Sequence, residues 1–519
     1  MTVRHLFAGT ILTTLLSAAV AAQPTIYPAP TDETPEFWQQ SGATALQQAL
    51  ATQPNTNQAR NVILFVGDGM GISTITAARI FVGQMQGSSG EENLLSFEHF
   101  PHVALSKTYN TNQQTSDSAG TMTAMMSGIK TRAGVIGVNQ YATRADCASA
   151  QGTEVPSLMQ QAAGRGMATG FVTTTRVTHA TPAATFAHSP ERDWESDADL
   201  SDEARRNGCV DIAAQLLAFD YGHGINVAMG GGIEAFVPST ETEPVSGRAG
   251  ARQDGRNLTR EWQEKYDNSA FIWHRDQLNS LDLENTRHLL GLFSRSQMSY
   301  AFDRPVGESG QPTLPEMTSA AIQLLQNQSG DNGFFLMVEA GRIDHAHHAG
   351  NAFRALHDTE ELARAVDVAQ SLTQDQDTLI IVTADHSHTL TIGGYATRGN
   401  PILGTVIANN DHGHAHDTPR LAQDQMPFTT LGYRDGMGYS EAAGGDRRYA
   451  QPVAAGRHNL SEVDTTHPDF HQEALVPLES EGHAGEDVAI FAQGPWAHLF
   501  HGVHEQHYIY YVMRHALGW

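Results

Sequence analysis

The sequence predicts an α/β fold: a central, mostly parallel sheet with helices on both faces. Apolar, β-rich runs recur along the chain, segments of helical period separate them, and several of the runs stop at a carboxylate. In such sheets ligands gather beyond the carboxyl ends of the strands, so the third observation also says where to look for chemistry.

The first run is Asn61–Val66, followed by the tight turn Gly67-Asp68-Gly69-Met70-Gly71 and a helical pattern over Ile72–Ile80. The second, Ala168–Thr173, lies between helical patterns at Glu154–Gly164 and Cys209–Phe219. The third, Phe334–Val338, follows a helical Pro315–Gln326 and breaks into Glu339-Ala340-Gly341-Arg342-Ile343-Asp344-His345-Ala346-His347-His348. If the chain turns helical after Gly341, Asp344 and His348 are one turn apart and share a face, so an oxygen and a nitrogen ligand can meet one cation while Glu339 faces another. Taken alone, this stretch also reads as a solvated loop. The fourth run, Thr378–Thr383, follows a helical Ala355–Leu372 and ends in Ala384-Asp385-His386; the fifth is Val488–Phe491.

Residues 1–22 have a basic start at Arg4 and His5, an apolar stretch from Leu6 to Leu16 and small residues up to Ala22, the pattern of a cleaved secretory signal. The expected location is therefore periplasmic or secreted. Residues 23–58 read as a peripheral segment with one helix, Thr34–Leu50; residues 59–388 and 479–519 form the α/β unit; and residues 389–478, rich in Gly, Asn, His and Pro, read as an insertion. Within it His412, His414 and His416 suit either a metal-binding tract or an exposed polar loop, the second being favoured. No other apolar run reaches the ~18 residues of a membrane helix, and no hydrophobic tail ends the chain, so no membrane anchor is expected. The net charge of −26 argues against a nucleic-acid partner, and it requires local positive charge wherever an anionic substrate binds. Cys147 and Cys209 are the two cysteines, and export favours a bridged pair over free thiols.

Ser118 lies in Thr115-Ser116-Asp117-Ser118-Ala119-Gly120-Thr121, which opens a helical Met122–Met126. A hydroxyl there serves equally as an ordinary cap or as part of a phosphate cradle. Joined by VGDGMG, TTTRVTHATP, ERDWESDAD, VEAGRIDHAHH, TADHSHT and GHAGEDVAIF, and by the paired cysteines, this motif resembles the alkaline phosphatases, especially the animal type and its bacterial relatives, from about Asn61 to Val503.

The resemblance implies a three-layer sandwich with a crown-like insertion at 389–478, a homodimer and a Cys147–Cys209 disulfide. It implies two zinc ions and one magnesium ion per subunit, with Asp344, His348 and His483 on the first zinc, Asp68, Asp385 and His386 on the second, and Asp68, Thr181 and Glu339 on magnesium. Ser118 is the implied nucleophile and Arg192 the phosphate clamp, oriented by Asp117; His179 and His345 stand just outside the ligand shell, and His347 and His388 are supporting or simply satisfied imidazoles. The implied reaction is hydrolysis of small phosphate monoesters by two in-line displacements through a phosphoserine. A phosphodiesterase or sulfatase of the same superfamily and a non-catalytic periplasmic phosphate-binding protein are the competing readings. The motif TSDSAGT lacks the modifiable Cys or Ser context of a sulfatase, diesterases typically use threonine, and a binding protein has no use for an activated serine. One departure stands out: animal members carry an acidic calcium ligand where this chain has Ser294, which puts a calcium site in doubt.

Overall fold

A computed structural model describes residues 25–304, 310–438 and 457–519; the signal sequence expected at 1–22 lies outside them. The described strands are β1 Asn61–Gly67, β2 His102–Lys107, β3 Ala168–Arg176, β4 Val227–Gly231, β5 Ser269–Ile272, β6 His288–Leu292, β7 Phe334–Ala340, β8 Thr378–Ala384, β9 Ser387–His388, β10 Leu390–Ile392, β11 Leu431–Gly436, β12 Ala474–Pro477, β13 His483–Ala484, β14 Val488–Gln493 and β15 Val503–Glu505. Ten of them form one sheet in the order β15-β2-β14-β8-β1-β7-β3-β4-β6-β5.

All neighbours in this sheet pair in parallel except β14, which runs antiparallel to both β8 and β2. The fifth apolar run is thus a reversed strand, which its composition does not distinguish from a parallel one. Central strands are apolar throughout because both faces are covered. Val62, Leu64 and Val66 of β1 pack with Met122 and Met125 of helix α3 (Ser118–Ser127) and with the C-terminal Tyr508–Ala516 helix. Ile63 and Phe65 point the other way, toward helix α2 (Ile72–Met85) and the Leu314–Gln328 and Ala352–Leu372 helices. Three layers follow from that alternation.

The helices expected from periodicity form, and side-chain caps set the starts of several of them. Helix α1 (Pro35–Ala51) starts where Thr34 accepts the Phe37 N–H. The pattern read from Glu154 becomes helical only at Leu158, since Pro156 precedes a Ser157–Gln160 capping box. The Cys209–Phe219 pattern is helical over Ile212–Ala218, beginning at its Asp211 cap. Strands β2, β4, β5, β6 and β15 escape a hydropathy reading because they are short, glycine-containing or half-exposed. Within 389–478, β10, β11 and β12 form a separate three-stranded sheet, and His412, His414 and His416 lie exposed. Cys147 and Cys209 are joined, closing 62 residues of chain and stabilising the fold by a typical ~2–4 kcal/mol.

Candidate metal centre and active site

The strands β8, β1, β7 and β3 are neighbours in the sheet, and their carboxyl ends deliver polar side chains to one edge. Asp68 follows β1, Glu339 is the penultimate residue of β7, and Asp385 and His386 follow β8. Beyond β3 come His179 and the short Ala180–Ala183 helical turn containing Thr181. The turn after β1 needs glycine: Gly69 has φ +71°, a Cβ there would stand 2.3 Å from the His388 ring, and its N–H donates to Asp385 Oδ1 at 3.0 Å.

Helix α3 brings in the hydroxyl. Asp117 caps it, accepting the Gly120 N–H on Oδ1 at 3.1 Å, so Ser118 is its first residue and stands at the positive end of the helix. Ser118 Oγ is buried, 3.4 Å from Asp68 Oδ1 and 3.2 Å from His386 Nε2. Asp117 Oδ2 accepts from the Gly134 N–H at 2.8 Å and from Arg192 Nη1 at 3.1 Å, and Arg192 Nη2 meets His179 Nε2 at 3.2 Å.

The donor set fits cations. His348 Nδ1 faces the Glu481 carbonyl at 2.5 Å and His483 Nδ1 the Ser116 carbonyl at 2.7 Å; a carbonyl only accepts, so both Nδ1 atoms carry the proton. Both Nε2 lone pairs then converge, 3.1 Å apart, on Asp344 Oδ1, which lies 3.4 Å from one and 3.3 Å from the other. Three electron-rich atoms aimed at one point repel one another unless a cation joins them, and two imidazoles with a carboxylate suit zinc.

A second convergence surrounds Asp68. His386 Nε2 lies 3.4 Å from Asp68 Oδ1 and 3.4 Å from Asp385 Oδ2. The buried atoms Asp68 Oδ2, Glu339 Oε1 and Thr181 Oγ1 have no hydrogen-bond partner among the described residues. Buried polar atoms left open in this way are what an oxygen-rich cation site requires. Burial, reinforced by Asp385, Asp344 and Glu339, pushes Asp68 well above the usual carboxylate range. Burial likewise raises Glu339 to about 7, against the pull of the Thr173 hydroxyl. Asp344 moves the other way: burial opposes ionisation, but the His388 imidazole, which donates to its Oδ1, holds it well below that range.

The remaining histidines separate by their partners. His388 Nδ1 meets Glu481 Oε2 at 2.5 Å and its Nε2 meets Asp344 Oδ1 at 2.7 Å. Both partners are carboxylate oxygens, which accept, so His388 is placed to donate with both nitrogens, and despite its burial these carboxylates raise it to about 10. His347 is satisfied between Thr74 Oγ1 at 3.0 Å and Tyr433 Oη at 2.7 Å. His345 accepts from Arg342 Nη1 at 3.0 Å, and burial together with that guanidinium lowers it to about 3. Three participants were not among the candidate residues read from the sequence: Thr173 and Thr175, whose hydroxyls both reach Glu339 Oε2, and Glu481. The threonine alternation in TTTR is the one local clue, since residues two apart on a strand share a face.

At the position in doubt for calcium, the Ser294 hydroxyl donates to the Ser296 carbonyl at 2.6 Å. Next to it, the Arg295 guanidinium pairs with Glu234 at 2.9 Å and with buried Glu243 at 3.5 Å, and bonds the Ala249 carbonyl at 2.7 Å. Glu243 also takes the Val245 and Ser246 N–H groups. A hydroxyl in place of a carboxylate and a fixed cation on the nearby acids do not fit calcium.

Comparison with known proteins agrees with this architecture. The family model for alkaline phosphatase matches residues 59–519. The chain is 45% identical to the tissue-nonspecific alkaline phosphatase of Gallus gallus over 98% of this chain and 93% of that one, and 45% identical to the Homo sapiens isozyme over 93% and 89%. It is 44% identical to the Gadus morhua alkaline phosphatase, covering 93% of this chain and 97% of that one. Among solved structures, the Thermus thermophilus alkaline phosphatase aligns with a TM-score of 0.63 at 24% identity, over 91% of this chain and 94% of that one. The enzyme from the Antarctic bacterium TAB5 aligns at 0.59 and 22%, over 89% and 99%. By its sequence and by the sandwich it folds into, the chain belongs to the alkaline phosphatase family, hydrolases of phosphate monoesters.

Proposed function

We propose that this enzyme hydrolyses small phosphate monoesters through a phosphoserine on Ser118, with two zinc ions and one magnesium ion per subunit. The observation that carries the reading is the position of Ser118 Oγ, buried at the head of α3 between Asp68 and His386 and next in sequence to Asp117, which holds Arg192. Asp344, His348 and His483 would hold the first zinc, Asp68, Asp385 and His386 the second, and Asp68, Thr181 and Glu339 magnesium. Bound there, these cations would neutralise the carboxylates, favour ionisation of the Ser118 hydroxyl and offset the charge of the phosphate oxygens.

The residues of the chain do the rest. Arg192 is held at two corners, by Asp117 and His179, and its remaining N–H groups take two non-bridging oxygens of the substrate. The α3 dipole favours the anionic form of Ser118 Oγ, whose proton passes to solvent. That oxygen attacks phosphorus in line with the ester bond; the Oγ–P bond forms as the leaving-group oxygen departs with its electron pair and is protonated. Water then attacks the phosphoserine from the vacated side, Ser118 Oγ leaves and regains a proton, and inorganic phosphate is released.

Export to the periplasm or medium rests on the pattern of residues 1–22. A homodimer is supported by α1, which has no buried residue and exposes Phe37, Trp38, Leu46 and Leu50. Residues 59–388 and 479–519 would be the catalytic unit, with 389–478 as the crown-like insertion and 23–58 peripheral. Ser118→Ala should lower monoester turnover by at least ~10³-fold while zinc content and far-UV circular dichroism stay as in the wild type. Near-wild-type turnover by that variant would remove Ser118 as the nucleophile.

A further inference from the structure

Glu481 belongs to none of the ligand sets above, yet its fully buried carboxylate stands behind one of them. Its Oε1 accepts the Thr389 N–H and hydroxyl, both at 2.7 Å, and its Oε2 takes His388 Nδ1. His388 in turn presents Nε2 to Asp344 Oδ1 at 2.7 Å. The main chain of the same residue grips His348 twice: its carbonyl faces His348 Nδ1 at 2.5 Å, and its N–H donates to the His348 carbonyl at 3.0 Å. His483 follows two residues later. One residue therefore sets the direction of the His348 lone pair, orients Asp344 through an imidazole and begins the turn that carries the third donor.

Glu481 is also anchored from outside the sheet. The Gly482 N–H donates to Asp435 Oδ1 on β11 at 2.8 Å, and a Cβ on Gly436, whose φ is +135°, would come within 3.1 Å of Glu481 Cβ. A carboxylate is an expensive group to bury merely as a spacer, because it must be met by donors on every side. Here those donors are His388 and Thr389.

We propose that Glu481 is a positioning residue for the Asp344, His348 and His483 cluster, acting on Asp344 through His388 and on His348 through its own main chain. The inference rests on reading that cluster as a zinc site. Glu481 touches neither substrate nor cation. Its carboxylate keeps His388 turned toward Asp344, so that Asp344 offers its oxygen in one fixed direction.

The test compares wild type, Glu481→Gln, Glu481→Asp, His388→Gln and the double variant Glu481→Gln/His388→Gln by competition for zinc with a chromophoric chelator. Thermal transitions and monoester turnover are measured alongside. Glu481→Gln should release zinc at chelator concentrations roughly 10–100-fold below wild type, with partial recovery in Glu481→Asp. The double variant should release zinc within about twofold of His388→Gln alone, because the carboxylate effect passes through that ring. Wild-type zinc retention by Glu481→Gln, or full additivity in the double variant, would overturn the proposal. If Glu481→Gln does not fold, His388→Gln decides: unchanged zinc retention there removes the relay. A wild-type protein that takes up no zinc would instead sink the reading of the cluster itself.

Discussion

Asp68, Glu339 and Asp385 show at the level of single residues why this site needs cations: each is fully buried and each lies near the others. Like charges so placed cannot all ionise without compensation, and their raised proton affinities express that conflict. Asp358 meets the same physics away from the site. Its Oδ2 accepts the Ala301 N–H at 3.1 Å, its Oδ1 has no partner among the described residues, and burial beside Glu361 raises it to about 7. In the unfolded chain it titrates near the ordinary aspartate value, so between about pH 4 and 7 the folded state binds one more proton and stability falls as pH rises through this window. Asp358→Asn should remove this component: relative to wild type the variant gains on the order of 2–4 kcal/mol between pH 5 and 8. Equal pH dependence of the two thermal transitions would contradict it. Among the site residues, Ser118, Asp344 and His348 were legible because each sits in a short, chemically dense motif. Glu481 was not, because its meaning lies in a contact with His388 across 93 residues that no local pattern encodes.

Among the elements, the central strands were legible because they are apolar on both faces, and the helices because their caps and periods coincide. The edge strands were not. β5 has four residues, mostly half-exposed, and β2 buries only alternate residues, so hydropathy alone does not separate them from loops. The reversal of β14 is a tertiary choice between two edges of pairing, and composition cannot carry it. Arg295 ties the Ser294–Ser296 loop to the Ile233–Ala235 turn through Glu234 and to the later 243–249 segment through Glu243 and the Ala249 carbonyl. Thermal stability should therefore be the same in calcium-free and calcium-supplemented buffers of matched ionic strength. Arg295→Ala should lower it by roughly 1–3 kcal/mol, the penalty of leaving buried Glu243 short of a partner. A calcium-dependent rise in the wild-type transition of several degrees would contradict the guanidinium's role.

At the scale of the whole molecule, three layers hold a row of four strand ends at one edge, and distant segments of the chain complete the site there: the turn after β1, the head of α3, the segments after β3 and β7, the turn after β8, and the β13 turn. That such residues meet beyond the strands was legible from the α/β order; that His483 closes on His348 and Asp344 required the family resemblance, since more than a hundred residues separate them. The acidic surface implied by a charge of −26 makes the local cation and guanidinium charge at this edge the attraction available to an anionic substrate. The central claim is that phosphate passes through Ser118. Acid-quenching the full-length enzyme during turnover of a monoester, followed by peptide mass spectrometry, should find one phosphoryl group on the peptide containing Ser118 and none in the Ser118→Ala protein. Active enzyme whose quenched peptides carry no phosphoryl group, or carry it on another residue, would contradict it.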